Sequence, residues 1–205
     1  AQGGVPERFD ARALAHVATG REVPAMLEQC KLGYAPARPR SCLNNPGADP
    51  VFHIALIGDS HASQWTEALN SAGDQHGWQI ETFAKSACPM TEIRFAYYRL
   101  KREYRECEQW RNAVHKTIER GKYDLVIISQ SVSYLFQDEP FAVKRGTWDE
   151  GLKAMALRLD AHHTRWMLLS DNPQFRDRHP VDCVFRSRVL AFTPDGNCNV
   201  KRQDA

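Results

Sequence analysis

From Val51 onward the chain alternates short apolar runs with longer stretches whose apolar residues recur at helical spacing. Runs such as HIALIG and DLVIIS, bounded by glycine or polar residues, read as strands covered on both faces. The pattern predicts a strand over 51–57, a helix over 61–76 ending near Gly77, and a second strand over 78–84. The loop KSACPM, from Lys85 to Met90, then leads into a long charged helix over about 95–120, stopped by Gly121. A third strand is expected over 123–129, a helix over 147–161 and a fourth strand over 165–170, which runs into Asp171-Asn172-Pro173. Strands alternating with helices predict an α/β domain built on a mainly parallel sheet with helices on its faces.

The flanking segments have a different character. Residues 1–50 combine a helical pattern around Ala11 to Cys30 with a Pro, Gly and Asn-rich passage from Gly33 to Pro50, expected as an N-terminal linker or extension. The domain proper is expected over 51–205, although Gln174 to Ala205 is polar and irregular. A chain of 205 residues with 42% hydrophobic content can bury one core. The net charge of +2 comes from scattered residues of both signs, without basic patches interleaved with aromatics, so no nucleic-acid partner is expected. The apolar runs are too short to span a bilayer, and the opening AQGGVPERFD has no apolar leader pattern. The expectation is a mature or excised domain that does not itself insert in a membrane.

Six cysteines, at 30, 42, 88, 107, 183 and 198, fall into three pairs local in sequence. This suggests short disulfides and an extracytoplasmic location, with reduced buried thiols as the alternative. The spacings of zinc sites are absent, so no metal site and no tightly bound cofactor are expected.

The candidate chemistry gathers at the ends of the predicted strands. Gly58-Asp59-Ser60-His61 closes the first one and opens a helix, which places Ser60 in a tight turn that Gly58 permits. A helix N-terminus there would offer unpaired N–H groups to an oxyanion formed when Ser60 attacks a carbonyl. Such a serine is also the ordinary choice for a helix cap. No glycine follows at the spacing of the G-x-S-x-G elbow. Asp59 is badly placed to orient a distant base, and a hydrogen bond to the turn backbone is its expected role. His61 is expected to shape the pocket or to pack, because adjacent side chains at a helix start point in different directions. Trp65, one turn on, is expected in the core.

GDSHASQW, followed by KSACPM at 85–90 and by Cys107-x-x-Trp110, resembles the start of an SGNH (GDSL-like) hydrolase domain. It resembles more narrowly the SGNH domains fused to acyltransferase-3 membrane proteins, which O-acylate bacterial surface glycans. The resemblance covers roughly residues 28–185 and implies a three-layer α/β/α fold, stapled by local disulfides: Cys30–Cys42, Cys88–Cys107 and Cys183–Cys198. It implies Ser60 as nucleophile, with an oxyanion hole drawn from the serine's own N–H, a glycine N–H and an asparagine side chain. This sequence departs from that pattern. The second-strand loop reads Ser86-Ala87-Cys88 without a glycine, so a backbone N–H from Ser86 or Ala87 would have to donate. The third strand ends at Ser129-Gln130-Ser131, leaving Gln130 or Ser131 in place of the asparagine, with ordinary turn chemistry as the plainer role for these serines. After Ser60 no D-x-x-H block stands in the late position expected for the family, as it would if the chain lacks its C-terminal part or has lost its base. His179, in Arg176-Asp177-Arg178-His179, is the candidate surrogate base within the sequence, with a solvated polar loop as the plainer reading.

What the resemblance implies is an extracytoplasmic O-acyltransferase domain in a bacterial cell envelope. It would move a small acyl group, acetyl above all, from an acyltransferase-3 membrane domain to a carbohydrate such as lipopolysaccharide. The alternatives are a carbohydrate esterase, in which water takes the acyl group, and a silent SGNH-like module that binds a glycan or a partner.

Overall fold

The computed structural model describes residues 29–44, 49–121, 123–161 and 163–172. Residues 25–171 form one compact unit. Its centre is β3 (Phe52–Gly58), flanked by β4 (Trp78–Lys85) and β7 (Leu125–Ser129), with β8 (Trp166–Leu169) beyond β7. All these pairings are parallel. The strands form because their apolar residues serve both faces: in β3, Ile54 and Leu56 enter one core while Ala55 and Ile57 enter the other.

Among the described residues, four α-helices cover the two faces. One core lies under α3 (Arg105–Arg120) and α4 (Arg145–Ala161), where Trp110, Val114, Trp148 and Met155 meet Phe83, Val126 and Ile128. The other lies under α1 (Ser60–Ser63) and α2 (Thr66–His76), where Ala62 and Leu69 meet Leu56, Ile80 and Ile127. The result is the expected three-layer α/β/α arrangement on a mainly parallel sheet.

Three local expectations need correction. The long helix expected from about residue 95 begins only at Arg105; before it, β5 (Ala96–Tyr97) and β6 (Arg102–Glu103) form an antiparallel hairpin. Phe95 and Tyr97 are buried while Tyr98 is exposed, a strand-like alternation that buries aromatic rings against Tyr104. The helix expected over 61–76 is split after Ser63, whose Oγ donates to the Ser60 carbonyl at 2.7 Å. Trp65 sits at that break, 38% exposed instead of in the core.

The passage expected as a linker supplies β1 (Lys31–Leu32), parallel to β4, and β2 (Cys42–Leu43), antiparallel to it. The disulfide Cys30–Cys42 joins their ends, and Cys88–Cys107 ties the loop after β4 to α3. Lys85, fully buried at the end of β4, donates to the carbonyls of Gly33, Tyr34 and Pro36 at 2.6–2.8 Å. Burial pushes its ammonium down to about 8, against a weaker opposing pull from Glu106. The expected helix around Ala11 to Cys30 falls almost wholly outside the described residues. Cys183, Cys198 and His179 also lie outside them.

Candidate active site

The chain passes from β3 outward to β4, then returns across β3 to β7 and β8, so the order reverses at the carboxyl end of β3. In open α/β sheets that crevice is where ligands bind. Gly58 pairs with Ala84 on one side and Ser129 on the other, and Ser129 pairs with Leu169. Four loops therefore start at one level, carrying Asp59–His61, Ser86–Ala87, Gln130–Ser131 and Asp171.

Gly58 is dictated by space and by backbone. Its φ is 151°, and a Cβ there would lie 1.8 Å from the Ser129 carbonyl oxygen. That approach lets the chain turn sharply, with Ser60 opening α1. Asp59 is the cap: its Oδ1 accepts from the His61 N–H at 2.8 Å, and its backbone carbonyl accepts from Ala62 and Ser63. Its Oδ2 accepts from the Ser131 N–H at 2.9 Å and from the Tyr134 hydroxyl at 2.7 Å. Burial pushes the Asp59 carboxyl up, and these three donors only partly offset it.

A second carboxylate mirrors the first. Asp171, past the end of β8, accepts through Oδ2 from the Val132 N–H at 2.8 Å and pairs through Oδ1 with Nδ1 of His61. Successive N–H groups after β7 are thus taken by carboxylates from the two neighbouring strands. Asp171 is 5% exposed and His61 22%, so the pair is shielded while the ring stays reachable. Burial works against a charged His61, but the Asp171 hydrogen bond and the charges of Asp59 and Asp171 outweigh it, and the net shift is upward. From the sequence, His61 was expected to shape the pocket or to pack, and Asp171, at the carboxyl end of the fourth strand, to lie at the site rim; their pairing was not foreseen.

The oxyanion candidates fare differently. The Ser86 N–H donates to Leu32 and the Cys88 N–H to Lys85. Ala87 lies between them with φ of 50°, in the third position of a turn, where glycine is the usual residue. Its N–H has no partner among the described residues, and neither has that of Ser60. Tyr104 braces this loop by donating to the Ser86 carbonyl at 3.0 Å. Gln130, by contrast, is buried and engaged: its Oε1 accepts from the Met90 and Thr91 N–H groups, and its Nε2 donates to Thr91 Oγ1 at 2.6 Å. Ser131 Oγ is taken up with Ser133. The expected helix-terminus stabilisation is also reduced, because α1 is a single turn whose N–H groups at 61–63 are occupied by Asp59. Among the described residues no group of three His, Cys, Asp or Glu side chains could hold a metal, and no helix is long and apolar enough to cross a membrane.

The site is thus a serine on a Gly-Asp turn at the switch point of a mainly parallel α/β sheet. Residues 26–205 match the model of the SGNH domain fused to AT3 domains, and the chain belongs to that family. It is similar to the solved periplasmic domain of the Salmonella ser. Paratyphi A lipopolysaccharide acetyltransferase, with 15% identity and a TM-score of 0.48. The match covers 77% of this chain and 57% of that one. No curated protein matches the chain.

Proposed function

We propose that this chain is an extracytoplasmic O-acyltransferase domain that carries a small acyl group, acetyl in the simplest case, on Ser60 and passes it to a hydroxyl of a cell-envelope carbohydrate. The observation that carries the reading is Ser60 itself, held at the sheet's switch point by Gly58 and Asp59 in a chain of the family whose domains are fused to AT3 domains. In the first half-reaction Ser60 Oγ bonds to the acyl carbon, the tetrahedral oxyanion collapses, and the donor leaves with the proton. In the second a sugar hydroxyl bonds to the same carbon, and Ser60 Oγ leaves and regains a proton. The free N–H groups of Ser60 and Ala87 are the backbone donors for the oxyanion. The donor would be delivered by an AT3 membrane domain, fused or separate. The two disulfides support an oxidising compartment such as the periplasm.

The test is acetyl transfer from p-nitrophenyl acetate to a sugar acceptor, with Ser60→Ala alongside. Ser60-dependent acetylation of the sugar is expected. Release of acetate to water alone would make the protein an esterase, and no Ser60-dependent turnover would leave the silent module.

A further inference from the structure

The clasp between Asp171 and His61 joins residues 110 apart in sequence across the edge where Ser60 sits. His61 follows Ser60 directly in the chain, and its ring is anchored at Nδ1 only. No partner for Nε2 exists among the described residues. Asp171 is itself fixed by the Val132 N–H, so the ring is oriented by a carboxylate that the backbone holds in place. The donor-bearing side chains just after β7 are spent: Gln130 on the 90–91 backbone and Thr91, Ser131 on Ser133. Two backbone N–H groups can hold a tetrahedral oxyanion, and a charged side-chain donor aimed at the same oxygen adds to the stabilisation they give.

Resting on the acyl-serine reading, we propose that His61, clasped at Nδ1 by Asp171, offers its Nε2–H to the acyl oxygen as the side-chain donor of the oxyanion hole. Asp171 is then a positioning residue. Negative charge that forms on the acyl oxygen as the Ser60 Oγ–carbon bond closes is met by the imidazolium. It is released again when the carbonyl re-forms, with no net proton transfer to or from His61. Two carboxylates act on the ring, Asp171 and Asp59, and no other charged side chain among the described residues does. Both favour the charged form that such a donor requires. A histidine acting as base would need the opposite state, and the two roles therefore differ in pH dependence.

The experiment is the rate of Ser60 acylation by p-nitrophenyl acetate against pH, read as the initial burst, for the wild type, Ser60→Ala, His61→Leu, His61→Gln and Asp171→Asn. His61→Leu should slow acylation on the order of 10²-fold. His61→Gln, which keeps an N–H donor without the charge, should recover part of the rate and lose the alkaline limb. Asp171→Asn, close in shape, should move the alkaline limb to lower pH. Wild-type rate and profile in all three His61 and Asp171 variants would overturn the proposal. Loss of the acidic limb in His61→Gln would also overturn it, by making His61 a base. Acylation that survives Ser60→Ala, or is absent from the wild type, contradicts the acyl-serine reading itself, and this inference falls with it.

Discussion

The loops after β4 and after β7 leave the sheet on opposite sides of Ser60, and they use their polar groups in opposite ways. After β7 the groups are consumed by architecture: two N–H groups go to carboxylates from adjacent strands, and the Gln130 amide goes to the backbone at 90 and 91. After β4 the loop is held from outside, by Cys88–Cys107, by the Tyr104 hydroxyl and by the Leu32 carbonyl, which accepts from the Ser86 N–H. It keeps one N–H, that of Ala87, uncommitted. A rigid loop with a free donor can serve a reaction, whereas a loop that spends its donors on carboxylates and backbone holds other groups in place. Side-chain identity therefore misleads here: Gln130 has the chemistry of an oxyanion donor but not its freedom, while Ala87 has only a backbone amide and is free.

The strongest way to break the contrast is at its shared pivot. Gly58→Ala forces a Cβ against the Ser129 carbonyl and strains a φ that L-residues avoid. A loss of about 3 kcal/mol or more in denaturant unfolding is expected, together with loss of Ser60 labelling. Next comes the β7 loop. Gln130→Leu removes the partners of the Met90 and Thr91 N–H groups, and equilibrium unfolding should show a cost of about 2–3 kcal/mol. Acylation per folded molecule should stay within about twofold, since this amide is not in the oxyanion hole.

The Asp171–His61 clasp predicts a pH-dependent difference in stability. Because the folded-state value of His61 lies above its ordinary one, the pair's contribution is complete below about pH 6.5 and fades as pH rises through the folded value. The stability gap between wild type and Asp171→Asn should narrow from about pH 5.5 to 8.5 in parallel urea titrations. The smallest effect is at Ala87. Ala87→Gly relieves the left-handed backbone and should stabilise by about 1 kcal/mol, with the acylation rate unchanged because the N–H remains.

Strand placement was legible because an apolar run of five to eight residues between polar breaks fits a strand facing two cores and little else; the expected 78–84 and 123–129 compare with Trp78–Lys85 and Leu125–Ser129. The Gly58–Ser60 turn was equally legible, from a glycine and a capping residue at the end of such a run. The β5–β6 hairpin was not, since FAYYRLKREY suits a charged helix as well as a strand pair until its rings find Tyr34 and Tyr134. His61 and Asp171 were each legible at the site, one beside Ser60 and the other at the carboxyl end of a predicted parallel strand on the same edge. Their pairing was not, because nothing local joins a helix start to a strand end 110 residues further on.

The measurement that bears most directly on the role of Ser60 is intact-protein mass spectrometry after incubation with a serine-directed fluorophosphonate, with wild type and Ser60→Ala side by side. One adduct on the wild type, mapped to Ser60 and absent from Ser60→Ala, is the predicted result. An unmodified wild type, or an adduct that persists in Ser60→Ala, would contradict the claim that this serine is the nucleophile.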